Sequence, residues 1–190
     1  MNDYHEPLPF KAIHADGITL RLIEPEKIDA IHAMLRGLPD EHDMIAELAE
    51  NYMPQFHNGR RTQFGFYAVL DGELAGFSLL SIEDFHERKG STGADTLLHM
   101  RGRGVAPRSK QHLFYFAFEM LNLHRLETGH RVSNIASQRS IQKTPGFVLE
   151  GRSRESGINE NGEFEDELLY GILKREWEEL YDKSGVVVEF

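Results

Sequence analysis

Apolar and polar positions change their spacing several times along the chain, and each change marks an element. Ile18-Thr19-Leu20-Arg21-Leu22-Ile23 alternates branched and polar residues, the two-residue period of a strand with one buried face. Pro25 fits the first turn of a helix whose apolar positions Ile28, Ile31 and Leu35 fall three and four apart. A second helix is predicted from Asp43 to about Tyr52, with Ile45, Leu48 and Tyr52 on one side, and the polar stretch Gln55 to Thr62 reads as a loop. Phe64 to Leu70 and Leu74 to Ile82 are strand-like runs around Asp71-Gly72-Glu73, a strong hairpin signal. A polar loop is expected over Glu83 to Gly93 and a short fourth strand over Asp95 to Met100. A long helix follows, from Val105 to about Asn122, whose Leu113, Ala117, Met120, Leu121 and His124 make a buried face. Arg125 to Val132 reads as a strand. Ile135 to Lys143 reads as a short helix ended by Thr144-Pro145-Gly146. Two more strands, Phe147 to Arg154 and Glu163 to Leu173, flank the turn Asn159 to Gly162, and Lys174 to Tyr181 closes with a helix.

The resulting order, β-α-α-β-β-β-α-β-α-β-β, has no internal repeat and no long linker. It predicts an α+β fold: one mixed, mostly antiparallel sheet of six to seven strands flanked by about four helices. We expect a single domain over residues 1–190, with its core at about 13–176 and residues 1–11 and 182–190 peripheral. No stretch reaches the length of a membrane span and no signal-peptide pattern opens the chain. With no cysteine, disulfide and thiolate chemistry are excluded, and a cytoplasmic location is the expectation. The 31 acidic and 21 basic residues leave a formal charge of −10, which disfavours nucleic acid and suits a cationic co-substrate. The ten histidines show no metal-ligand spacing, so no metal is expected.

Arg101-Gly102-Arg103-Gly104-Val105-Ala106 stands out just before the long helix. Two glycines put bare backbone amides, and two arginines put positive charge, where a helix begins with unpaired N–H groups and its positive dipole end. These parts suit a phosphate or pyrophosphate. Arg108, Ser109 and Lys110 in the first turns are candidates for further phosphate contacts. The rival reading, an Arg-Gly nucleic-acid binder, requires a repeated motif in a basic chain, and neither is present.

Arg101-x-x-Gly104-x-Ala106 resembles the pyrophosphate-binding signature, (Arg/Gln)-x-x-Gly-x-(Gly/Ala), of the GNAT superfamily of acyl-coenzyme A-dependent N-acyltransferases. The branch containing the ribosomal-protein-alanine acetyltransferases is resembled at four further places: Ile18 to Leu22, Leu123-His124-Arg125-Leu126-Glu127, Asn134 to Ser140 with Lys143 and Gly146-Phe147, and Asp166 to Leu173. The resemblance spans roughly residues 13 to 176. Two departures are visible. Thr144-Pro145 makes the link between Lys143 and Gly-Phe two residues long rather than one, and the turn before Arg101 lacks the usual proline-containing lead-in.

The resemblance implies acetyl transfer from acetyl-coenzyme A to a primary amine, directly within a ternary complex, and a homodimer is common in that branch. The amine would be a protein N-terminal α-amine or a small molecule such as an antibiotic, a polyamine or an aminoacyl compound. A non-catalytic acyl-coenzyme A sensor remains the alternative. Cofactor contacts are expected from Leu98, His99, Met100, Arg101, Gly102, Arg103, Gly104, Val105 and Ala106, and from Asn134, Ser137 and Arg139. Asn134 also suits the N-cap of the short helix. Ser137 is the candidate proton donor to the leaving thiolate. An attacking amine must lose a proton, and Asp95, His99 and Glu155 are the candidate bases, with Glu83 and His130 as further options. Asp95 and His99 would share one face of the fourth strand. Phe114, Tyr115, Phe116 and Phe118 are assigned to the core.

Overall fold

A computed structural model describes residues 10–159 and 161–190. Among them ten strands form one sheet: β1 (Ala12–Ala15), β2 (Ile18–Leu22), β3 (Gln55–His57), β4 (Arg60–Leu70), β5 (Glu73–Asp84), β6 (Lys89–Thr96), β7 (Arg125–Arg131), β8 (Val148–Ile158), β9 (Phe164–Leu173) and β10 (Val187–Glu189). The order across the sheet is β10-β1-β2-β4-β5-β6-β7-β9-β8, with β3 paired to β4. Every pairing is antiparallel except that of β6 with β7. Five α-helices accompany it: α1 (Ile28–Leu35), α2 (Glu41–Glu47), α3 (Val105–Tyr115), α4 (Ile135–Gln142) and α5 (Lys174–Leu180). The α+β class holds, and the sheet is wider than the six or seven strands expected. The first nine residues, read as a loose lead-in, lie outside the described part.

Alternation along the strands sorts the core into two layers. Phe64, Phe66, Ala68 and Leu80 turn to one face and pack with Leu113, Phe114, Phe116 and Phe118 from α3 and the turn after it, and with Trp177 of α5. Phe77 turns to the other face, where Ile31, Leu35, Met44, Leu48 and Tyr52 cover it. The aromatic stripe assigned to the core therefore sits there: Phe116 lies 5.1 Å from Phe66 and 5.3 Å from Phe64 between ring centres. Both long helical segments widen into a π-helical turn at their ends, Leu48–Tyr52 and Phe116–Met120. The second stops short of the expected Asn122, which takes a left-handed φ of 52° at the helix exit.

Three segments differ from the expectation. Gln55 to Thr62, predicted as a loop, contains a short hairpin through Asn58 and Gly59. The loop predicted over Glu83 to Gly93 is largely strand, and the fourth strand runs Lys89–Thr96 rather than Asp95–Met100. Lys-Gly-Ser-Thr-Gly-Ala-Asp-Thr has little strand propensity, and pairing with β5 on one side and β7 on the other overrides it. Leu97 and Met100 are buried while Leu98 and His99 are exposed, a period of three that belongs to the 3-10 turn at Leu98–Met100. The peripheral C-terminus supplies the edge strand β10, with Val188 opposite Ile13.

Candidate active site

β6 and β7 run side by side for only three residue pairs, Lys89–Arg125, Gly90–Leu126 and Ser91–Glu127, and then part. Each continues as a strand on its outer side only, β6 against β5 as far as Thr96 and β7 against β9 as far as Arg131. Thr128 Oγ1 donates to the Thr92 carbonyl at 2.9 Å and closes the apex. Beyond it the sheet is a V whose inner edges carry backbone groups without strand partners. Both arms lead into helix starts: β6 runs through the Arg-Gly loop to α3, and β7 leads to Asn134 and α4. Ligands favour this place, the carboxyl ends of parallel strands where the connections diverge.

The loop on the first arm is built by its own hydrogen bonds. Gly102 and Gly104 take left-handed φ of 80° and 72°, and Gly104 caps α3 in that conformation. Arg103 turns away to Asp71 at 2.6 Å in the β4–β5 turn. Arg108 ties the loop together, donating to the Arg103, Gly104 and Asp16 carbonyls at 2.7, 3.1 and 2.9 Å. Arg101 is exposed and its side chain makes no hydrogen bond or ion pair with the described residues, so its guanidinium remains available to an anion. The N–H groups of Leu98 and Met100 are already used, by Asp40 Oδ2 and the Leu97 carbonyl, at 2.9 Å each. Met100 is also buried in the core. The sequence expectation that these two contact the cofactor is thus not matched by free donors. Gly102, Gly104, Val105 and Ala106 keep theirs.

On the second arm Asn134 is the N-cap of α4, its Oδ1 accepting from the Ser137 N–H at 2.9 Å. That leaves the Asn134 amide nitrogen and the Ser137 hydroxyl unengaged at the V's margin, and Arg139 is exposed one turn on. The extra residue at Thr144-Pro145 is absorbed without a kink: buried Thr144 donates from Oγ1 to the Ser140 carbonyl at 2.9 Å. Gly146 then makes the corner at φ 99°, where a Cβ would lie 2.4 Å from Ile172 Cδ1.

The candidate bases do not assemble together. Asp95 lies on the parted stretch of β6 and accepts a 2.5 Å hydrogen bond from the Tyr52 hydroxyl. Burial, reinforced by the Asp95 carboxylate, pushes the Tyr52 phenol far above its ordinary range. His99 is exposed in the 3-10 turn, off the strand, so it does not share a strand face with Asp95. Glu155 sits on the bulge between Ser153 and Gly157, on a strand two out from β7 and so roughly 10 Å from it across the sheet. Its backbone N–H is bound to Asp166 at 2.8 Å. Glu83 accepts from Ser91 Oγ at 2.5 Å. His130 is buried and stacked on Tyr170, with 5.6 Å between ring centres.

A cavity of about 290 Å³ opens at the apex, lined among others by Ser91, Glu127, Thr128, Glu150, Leu169 and Tyr170. Leu126 packs toward α3, so the next residue, Glu127, faces the opposite side of the sheet. Arg125 bridges Glu127 (Nε to Oε1, 2.9 Å) and Glu150, and Lys89 reaches Glu127 at 3.0 Å. The Arg125 bonds hold the Glu150 carboxyl below its usual range. At the Asp95 end, Glu47 is pushed up by partial burial and by the carboxylates of Asp95, Asp43 and Glu50. Glu127 and Glu150 at the apex are balanced by Arg125 and Lys89, so the negative charge gathers at the Asp95 end of the V. Sequence reading missed Glu127, Glu150, Tyr170 and Tyr52 as site residues. Glu127 ends the quoted Leu-His-Arg-Leu-Glu segment, whereas Tyr52 carried only a core signal.

A parted parallel pair, a glycine-capped helix start on one arm and an Asn-capped helix start on the other define an acyltransferase of the GNAT class. The chain belongs to that family: residues 17–147 match the model of the acetyltransferase (GNAT) domain. YdaF of Bacillus subtilis (strain 168), named "Putative ribosomal N-acetyltransferase", is 30% identical over 173 residues, covering 85% of this chain and 93% of that protein. The spermidine/spermine N-acetyltransferase SpeG of Vibrio cholerae is a structural neighbour, with a TM-score of 0.64 and 18% identity over 87% of this chain and 98% of that one. The chain is an acetyltransferase that joins an acyl group to an amine.

Proposed function

We propose that the chain transfers an acetyl group from acetyl-coenzyme A to a primary amine that reaches the apex cavity from the acidic Asp95 end of the V. The observation that carries this reading is the V itself. Its inner edges offer unfilled backbone partners to an extended arm, and the loop from Gly102 to Ala106 ends that groove in free amides next to Arg101. In this reading the pyrophosphate lies on the loop and the pantetheine arm takes the place of missing strand pairs. The thioester then meets the apex, where oriented backbone N–H groups stabilise the oxygen as it gains charge.

The acceptor amine is protonated in water and must shed that proton before it attacks. Asp95, fixed by Tyr52, is the candidate to receive it, directly or through water. Ser137 is the candidate to protonate the thiolate as the carbon–sulfur bond breaks. Negative charge at Asp43, Glu47, Glu50 and Asp95 favours a cationic acceptor, whether a protein N-terminus or a polyamine. YdaF's name, ribosomal N-acetyltransferase, supports a protein acceptor, while SpeG at 18% identity supports the fold alone.

Titration calorimetry with acetyl-coenzyme A, followed by a thiol-release assay over N-terminal peptides and polyamines, tests the proposal. We expect micromolar binding and turnover with at least one cationic amine. Absence of binding at millimolar acetyl-coenzyme A overturns it.

A further inference from the structure

Lys110 is an unusual occupant of the inward face of α3. It is 4% exposed, yet its ammonium makes no hydrogen bond or ion pair with any described residue. Its Nζ lies 5.3 Å from the centre of the Phe147 ring. A buried ammonium is costly without a partner, and a ring face offsets only part of that cost. The nearest offset of opposite sign is electrostatic, from Asp95 across the groove, while burial lowers the lysine to about 8.

The position of this charge matters more than its cost. Phe147 follows α4 and stands on the β7 side of the V, whereas Asp95 is on the parted end of β6. Lys110 therefore sits on α3 with its Nζ beside Phe147 and within electrostatic reach of Asp95. It lies a turn and a half beyond Gly104, inside the groove rather than at its phosphate end. Ser109, beside it, is buried as well, so neither residue is the exposed phosphate contact that their place in the sequence suggests.

We propose that Lys110 is a cofactor-binding residue, donating from its ammonium to a carbonyl oxygen of the pantetheine arm of acyl-coenzyme A. This rests on the acetyltransferase reading above. The arm is the part of such a cofactor that passes between the strand arms, and its amide and thioester carbonyls are acceptors without charge. They match a single buried donor set in an apolar wall. In the free protein the ammonium has no protein acceptor among the described residues, and the bound cofactor supplies one.

The experiment compares wild-type, Lys110→Met and Arg101→Ala by calorimetry with two ligands, acetyl-coenzyme A and S-acetyl-pantetheine. The second ligand keeps the arm and lacks the phosphates. Lys110→Met is expected to weaken both ligands by a similar factor of about tenfold or more, the worth of a charged hydrogen bond. Arg101→Ala is expected to weaken acetyl-coenzyme A alone. Lys110→Met should also raise the melting temperature of the free protein, because it removes a buried charge. Should the methionine variant fail to fold, Lys110→Gln takes its place. Wild-type binding with the Lys110 variant unchanged toward both ligands overturns this proposal and leaves the acetyltransferase reading intact. No binding by wild-type overturns that reading itself.

Discussion

Single residues show where stability and chemistry pull apart. Lys110 in the folded chain sits near 8 against 10.5 in the open chain. The shift corresponds to about 3 kcal/mol held against folding at neutral pH. Its sign is fixed: below about pH 8 both states carry the proton and the penalty is complete. Between 8 and 10.5 the unfolded chain binds more protons than the folded one, so stability rises with pH from this group. Urea titrations from pH 8 to 10 should show this rise in wild-type and lose it in Lys110→Met. Asp95 can be probed without dismantling its surroundings. Asp95→Asn keeps an oxygen for the Tyr52 hydroxyl, so the fold should persist while kcat falls roughly tenfold or more if the carboxylate takes the proton. An unchanged pH–rate profile removes Asp95 from that role. Ser137→Ala should lower turnover more than cofactor affinity, and an equal fall in both assigns the hydroxyl to binding only. The N-cap at Asn134 was legible in the sequence because helix caps have a local signature. Lys110 was legible only as a name beside the loop, since what buries it is Phe147, a partner 37 positions later.

Elements explain why some predictions held and others failed. The β4–β5 hairpin announces itself through Asp71 and Gly72, both at positive φ, and α3 through the spacing of Leu113 and Ala117. β6 has no such signature. Its polar, glycine-containing sequence becomes a central strand because two neighbours supply its hydrogen bonds, information that no local window holds. Mistaking its register by several residues moved His99 onto a strand face that it does not occupy. The α3 start is a sharper case for experiment. Any side chain at Gly104 must adopt the left-handed φ of 72°, at a cost on the order of 1–3 kcal/mol, and a glutamate there also repels phosphate. Gly104→Glu should therefore retain its circular dichroism and lose acetyl-coenzyme A in calorimetry. Gly146→Ala, whose Cβ would meet Ile172, should lower the melting temperature by several degrees.

Over the whole molecule, charge and exposed apolar surface set the outward behaviour. With a net charge of −10, cationic acceptors are drawn to the protein, so kcat/KM toward a polyamine should fall as salt rises, more steeply than toward a neutral amine. Among the described residues no helix is long and apolar enough to cross a membrane. Val148, Leu149, Ile158 and Phe164 stand exposed on β8 and β9. Sedimentation would show whether that edge joins a second copy, as the family resemblance suggests.

The parting of β6 and β7 also has a mechanical meaning. Three residue pairs, the side-chain bonds between Thr92 and the Glu127–Thr128 segment, and the Lys89–Glu127 ion pair join the two strands, all at one end, so the sheet is two half-plates sharing a short hinge. A ligand threaded between the plates acts as a brace. Hydrogen exchange at Gly93 to Thr96 and at Gly129 to Arg131 should slow sharply when acetyl-coenzyme A is added, and the melting transition should climb with ligand concentration. Free, the sheet is two plates on one short hinge; with its groove filled, it would behave as a single continuous plate.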